Sequence, residues 1–164
     1  MLELLKTLLP NVVQLYPDLI KALLETLLMV WVAGTISSLI GIPVGVTLVV
    51  TRAGGILEHR VLNGVIGKII NIMRSIPFII LLAAIIPLTR LLAGTTIGIK
   101  GAMVPLIFGA FPFIARQIES TLLDIDKGVI EAAQAMGSGP YEIIWRVMFI
   151  EGLPGIIYAL TIAT

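Results

Sequence analysis

The chain has 164 residues, of which 58% are hydrophobic and 13% are charged, with a formal net charge of +1 and a mean hydropathy of +1.08. A soluble domain has about 25% charged residues, so this composition predicts an integral membrane protein whose spans are helices that satisfy their own backbone groups in lipid. The lack of cysteine and the single histidine, His59, exclude a disulfide framework and thiolate or two-histidine metal sites, and the small net charge gives no nucleic-acid footprint.

The first 21 residues are mixed in character. They contain breakers at Pro10 and Pro17 and leucines at helical spacing, namely Leu2, Leu5, Leu8 and Leu9. An amphipathic helix on the membrane surface and an ordinary exposed leader are equally compatible with this pattern.

Four apolar runs predict membrane spans at about residues 24–50, 65–90, 97–115 and 152–164. The first has an uncharged stretch of about 25 residues, long enough to cross a hydrocarbon core of about 30 Å. Its small residues recur four apart, as at Gly41 and Gly45, which allows another helix to approach closely. We expect this contact to lie within one subunit rather than between two.

The second and fourth runs are short. The apolar part of the second, 76–88, gives about 20 Å of helix, so the span must include residues before Pro77. We expect Arg74 to snorkel to the headgroups, and Arg74 and Arg90 to be interface anchors rather than substrate ligands. The fourth run reaches Thr164 after about 18 Å of helix, so the chain is interpreted as a fragment with three complete spans and part of a fourth.

The basic residues predict the orientation. With the amino terminus outside, the inner segments hold seven, namely Arg52, Arg60, Lys68, Arg74, Arg116, Lys127 and Arg146, and the outer segments hold four, namely Lys6, Lys21, Arg90 and Lys100. The positive-inside rule therefore places the interval 116–151 in the cytoplasm.

This cytoplasmic interval is about 37 residues with its flanks, longer than most connections. Asp126 is a predicted N-cap, Gly137 suits the left-handed residue that ends a helix, and Pro140 suits the first position of the next helix. The pattern predicts two short helices that meet at a glycine corner. Such a unit can dock in a groove of a partner or pack on its own membrane domain.

Glu131-Ala132-Ala133, followed after three residues by Gly137, resembles the EAA motif of ABC-importer permeases. The chain is similar in particular to the methionine importer permeases of the type I importer architecture. The stretches that carry this second similarity are Arg74–Leu82, Ile86–Arg90, Gly94–Gly98 and Pro112–Arg116. The similarity runs from about Glu25 to the end of the chain. One departure is Ile150, where the family usually has a proline.

The resemblance implies an all-α type I permease fold with five spans in the complete family member, in a bacterial inner membrane. It implies a homodimer with a cytoplasmic ABC ATPase, an extracytoplasmic binding lipoprotein and methionine as the transported substrate. ATP would be bound by the ATPase, and this chain, which has no Gly-x-x-x-x-Gly-Lys-Ser/Thr pattern, would be a transport subunit without enzyme activity or cofactor. The expected ATPase-coupling residues are Asp126, Ile130, Glu131, Ala132, Ala133, Met136 and Gly137.

Two roles are open for Glu131, an ion pair with an ATPase arginine or a cap on backbone donors of its own loop, and we favour the cap. Rival functions are a permease of the same superfamily for another amino acid or small solute, and a secondary transporter. The secondary transporter is disfavoured because no acidic residue lies in the middle of a span. An intramembrane enzyme is disfavoured because the spans hold no His-Glu-x-x-His motif and no Ser–His pair.

Overall fold

The computed structural model describes residues 15–163, and the predicted amphipathic segment at residues 2–9 lies outside them. The described part is helical and contains no strand, which confirms the predicted all-α fold. The helices, numbered in chain order, are α1 (Tyr16–Thr51), α2 (Arg60–Ser75), α3 (Phe78–Ala84), α4 (Ile86–Ala93), α5 (Gly98–Leu123), α6 (Lys127–Ala135) and α7 (Pro140–Ala163).

Three helices, α1, α5 and α7, are long and apolar enough to cross a membrane. They differ in extent from the apolar runs: α1 begins at Tyr16 because Pro17 occupies its first turn, and α5 continues to Leu123. Helix α7, which corresponds to the fourth apolar run, begins at Pro140, well before residue 152. Much of the interval between the third and fourth runs is therefore a continuation of long helices.

The second apolar run is divided. Helices α2 and α3 meet at an angle of 106° around Pro77, and α4 follows after Ile85. Proline removes a backbone donor and disfavours helical backbone in the residue before it, and Ile76 is extended accordingly, with φ −79° and ψ 122°. Pro77 predicts from the sequence that the helix is disrupted here, but it does not predict the size of the bend.

The core is organised around the close contact of α1 with α5. A Cβ atom on Gly41 would lie 2.8 Å from Ile114 Cγ2, and one on Gly45 would lie 2.6 Å from the carbonyl oxygen of Ala115. The Ser37 hydroxyl, fully buried, donates to the carbonyl of Ile107 at 3.3 Å. These small residues let the two helix backbones meet, as expected for a contact within one subunit.

A polar stripe on α2 fixes this helix against α1 and α5. The Asn63 amide donates to the carbonyl of Leu48 at 2.6 Å. The Arg116 guanidinium donates to the carbonyl of Gly67 at 3.1 Å and to Asn71 Oδ1 at 2.9 Å, and it also pairs with Glu119. The part of α2 from Asn63 to Asn71 is therefore anchored by hydrogen bonds as well as by apolar packing.

A compact turn joins α1 to α2. The Gly54 amide donates to Glu58 Oε2 at 2.8 Å, and Arg60 Nε donates to Glu58 Oε1 at 2.6 Å. These donors, the Gly54 amide first, lower the pKa of the Glu58 carboxyl below its ordinary value. His59 Nδ1 accepts from the amide of Leu62 and caps α2. The turn thus has a defined shape on the side of the molecule where α6 lies.

We predict that Gly45→Ala destabilises the chain, because its new methyl group would meet backbone of α5. Overpacking of this kind costs about 1–3 kcal/mol. Gly64→Ala is the matched control, since a Cβ there meets nothing within 4 Å and Gly-to-Ala in a helix otherwise stabilises by up to about 1 kcal/mol. Thermal unfolding in detergent checks this; a midpoint for Gly45→Ala at or above that of Gly64→Ala would contradict it.

We also predict that Glu58→Gln speeds hydrogen exchange at the Gly54 amide at neutral pH. A carboxyl whose pKa is lowered by folding stabilises the turn above its unfolded pKa of about 4.3, and loses that contribution as pH falls through the lower folded value. The ratio of variant to wild-type exchange rates should therefore exceed one at pH 7 and approach one in acid. Glu142→Gln is the control and should leave the ratio at one; a ratio for Glu58→Gln that does not depend on pH would refute the role.

Candidate coupling interface

Helix α6 is closed at both ends by local hydrogen bonds. The Asp126 carboxylate accepts from the amide of Gly128 at 2.6 Å, as predicted for an N-cap. At the other end the amide of Gly137 donates to the carbonyl of Gln134 at 2.9 Å and that of Ser138 to the carbonyl of Ala133 at 3.1 Å. This pair of bonds is the Schellman motif, so the helix is a short unit with defined ends.

Gly137 has the left-handed backbone predicted for it, with φ of +84°. A Cβ atom there would meet nothing within 4 Å. Within this chain, the requirement for glycine therefore comes from backbone conformation, and the surface around the corner is open.

The second half of the predicted corner unit differs from expectation. Pro140 begins a helix, as predicted, but this helix is not short. It continues through a π-helical segment, Ile143–Met148, into the apolar part of α7. The corner at Gly137 is thus connected to a membrane span without an intervening loop.

The predicted coupling residues divide between two faces of α6. Ala133 is only 3% exposed and belongs to the core cluster with Ile143 and Met148, and Ile130 packs at the edge of that cluster. Glu131 and Ala132 are exposed, and Met136 is 80% exposed. A methyl-sized side chain at Ala133 is therefore needed by packing within the chain, whereas the other face is available to a partner.

Glu131 lies at the edge of a cavity of about 500 Å³ between α6 and the turn after α1. Its lining comes from both elements and from the core, and includes Arg52, Gly54, Ile56, Lys127, Ile130, Glu131 and Gln134. In residues 15–163 the Glu131 carboxylate makes no hydrogen bond or ion pair. Within the described part of the chain, Glu131 therefore makes no hydrogen bond of the kind that the favoured role, a cap on its own loop, requires.

Sequence reasoning missed an aromatic extension of this surface. Tyr141 is 73% exposed and Trp145 is 66% exposed, and the Trp145 ring stacks on Phe149 at 4.8 Å. The sequence contains the signal for this surface, because Tyr141, Trp145 and Phe149 recur four apart and so share one helix face. Together with Met136, they form an exposed apolar surface beside the Gly137 corner.

The described residues contain no group of three or more His, Cys, Asp or Glu side chains that could hold a metal ion.

Comparison with known proteins shows the family to which the chain belongs. Residues 41–164 match the family described as binding-protein-dependent transport system inner membrane component. The D-methionine transport system permease protein MetI of Escherichia coli K12 is 50% identical over 144 residues, which are 88% of this chain and 66% of that protein. The probable D-methionine transport system permease protein MetI of Vibrio cholerae is 49% identical, with 88% and 64% covered.

A solved structure, an inward-facing conformation of the MetNI methionine ABC transporter, superposes with a TM-score of 0.86 at 50% identity. It is matched over 88% of this chain and 67% of that chain. A second crystal form gives a TM-score of 0.85 at 49% identity. The chain thus spans slightly less than two thirds of the length of the curated relatives. The predicted permease resemblance and fold are confirmed, and the chain belongs to the family of binding-protein-dependent transport system inner membrane components.

Proposed function

We propose that this chain is part of the permease subunit of an ATP-driven methionine importer. The permease would translocate substrate delivered by an extracytoplasmic binding protein, and a cytoplasmic ATPase would drive it through α6. The observation that carries the proposal is the short helix capped at Asp126 and Gly137, with an exposed outer face and a buried inner one. The names of the relatives, which refer to D-methionine transport, support the substrate.

The coupling argument rests on rigidity. A contact that transmits movement must not deform, and α6 is held by its two end motifs and by Ala133 in the core. Glu131, Ala132 and Met136 would meet the ATPase. Movement of α6 would then pass to α7 through Gly137 and the core contact with Ile143.

Glu131 is best placed for an ion pair with an arginine of the ATPase. Its carboxylate is exposed and has no partner among residues 15–163. An exposed pair would contribute only about 0–1 kcal/mol, so its main effect would be on the register of docking.

The proposed cycle is the one that the family resemblance implies. Binding of ATP would close two ATPase subunits, move the coupling helices of two permease copies and switch the spans from inward-facing to outward-facing. The homodimer, the lipid-anchored binding protein, the inner membrane, the outer amino terminus and the cytoplasmic 116–151 interval are all parts of this proposal. The excess of basic residues in the segments assigned to the inside supports the orientation.

The alternative is a permease of the same family for another amino acid or small solute. The branch-specific stretches around Arg74 and Pro112, and the identity of about half to the methionine permeases, favour methionine. A secondary transporter is the less favoured reading.

We predict that the complete permease, assembled with its ATPase and binding protein in vesicles, accumulates radiolabelled methionine only when ATP is present. An ATPase variant that cannot hydrolyse ATP should abolish uptake, and a protonophore should not reduce it. Uptake driven by a proton gradient without ATP would refute the importer. ATP-driven uptake of another amino acid, but not methionine, would refute the substrate alone.

We predict that Gly137→Val lowers ATPase association and uptake about tenfold or more while membrane insertion is retained. A left-handed backbone costs a non-glycine residue about 1–2 kcal/mol, which would shift the corner that positions α6. Gly94→Val is a matched control, because Gly94 also has a positive φ, +71°, and open space at its Cβ, but lies at the end of α4. Co-purification with the ATPase checks both; equal losses in the two variants would contradict a coupling role.

A further inference from the structure

The bend between α2 and α3 encloses a small cavity beside α5. Its volume is about 240 Å³, and its lining consists of Met73, Arg74, Ile76, Phe78, Leu81, Gly109 and Phe113. The ring of Phe78 lies against α5 where Gly109 has no side chain, so that a Cβ there would be 3.2 Å from the ring. The cavity thus combines aromatic rings, a thioether and a single cation.

The cavity lies beside the middle of α5. This helix has 26 residues, or about 39 Å at 1.5 Å per residue, and Gly109 and Phe113 are about 16 and 22 Å from its first residue. Arg74 lines the same cavity and is exposed within this chain. The interface-anchor role expected from the sequence remains a prediction, and contact with a ligand is the alternative that the cavity offers.

Arg74 also differs from the other polar groups on its side of α2. Asn63 donates to the carbonyl of Leu48 on α1, and Asn71 accepts from Arg116 on α5. Arg74, three residues after Asn71, makes no hydrogen bond or ion pair within residues 15–163. An ionisable group within a membrane domain is costly unless it is paired, and such groups mark substrate pathways.

We propose that this cavity is a transient binding site for the transported amino acid. The Arg74 guanidinium would pair with the substrate carboxylate, for which its fork of donors is suited. Phe78, Phe113 and Met73 would contact an apolar or thioether side chain. The last carbonyls of α2, which lack intrahelical partners at the bend, would accept from the substrate ammonium group. The inference rests on the proposed function and names where the substrate passes.

Cysteine protection tests the site, because the chain has no cysteine of its own. Met73→Cys is introduced into the complete permease, assembled with the ATPase and binding protein in membrane vesicles, and labelled with a methanethiosulfonate reagent. Methionine at about four times its Kd, which gives about 80% occupancy, should slow labelling roughly fivefold. Methionine amide, which lacks the carboxylate, should not slow it. Ala102→Cys, in a separate cavity that Thr89 and Pro105 also line, should be unaffected by either compound.

Charge variants in the Met73→Cys background identify the partner of the carboxylate. Arg74→Gln should remove protection by methionine, and Arg74→Lys should retain part of it. Arg90→Gln, which removes a cation at the end of α4, should leave protection unchanged. Co-purification with the ATPase shows that each variant is assembled.

Equal protection by methionine and its amide, or protection that survives Arg74→Gln, would overturn the site. So would the absence of protection in vesicles that import methionine with ATP. If the same vesicles import another amino acid instead, the substrate assignment fails separately, and that amino acid and its amide are used in the labelling assay. Protection by the acid alone then supports the site, and its absence overturns it.

Discussion

The contact between α1 and α5 at Gly41 and Gly45 is the constraint on which the other helices depend. Lipid supplies no hydrophobic force between helices, so association rests on close packing and on hydrogen bonds between helices. The two glycines provide the packing, and Ser37 provides a bond to the backbone of α5. Every other described helix except α6 and the start of α7 lies against this pair, so a shift at Gly45 would be felt throughout the membrane domain.

Helix α2 shows how the structure combines anchoring with an opening. Asn63 and Asn71 join it to the carboxyl-terminal halves of α1 and α5, with Arg116 as the donor on α5. The chain then turns through 106° at Pro77 and leaves a cavity where a straight helix would have filled the space. Irregular backbone within a membrane domain is tolerated where protein covers it or where it lines a cavity, and the bend lines this cavity.

The local features of α6 could be predicted from the sequence because they depend on neighbouring residues. Asp126 caps, Gly137 takes positive φ and Pro140 begins a helix for reasons confined to one or two turns. The burial of Ala133 and the cavity beside Arg74 could not, because each depends on which distant helix packs there. The same limit explains why a short helix from Pro140 and a span from about residue 152 were expected as separate elements, whereas the structure joins them in α7.

The π-helical segment at the start of α7 has a mechanical consequence. The amide of Phe149 donates to the carbonyl of Ile144, five residues earlier, so this stretch holds one residue more per turn than an α-helix. The buried residues at its start, such as Ile143, and beyond it, such as Ile156, are consequently offset around the axis relative to an unbroken α-helix. A helix can pass such an extra residue along by exchanging one hydrogen bond at a time. In the proposed coupling, movement of the Gly137 corner would pass through this segment, and a shift of the extra residue along α7 would rotate the helix as well as translate it.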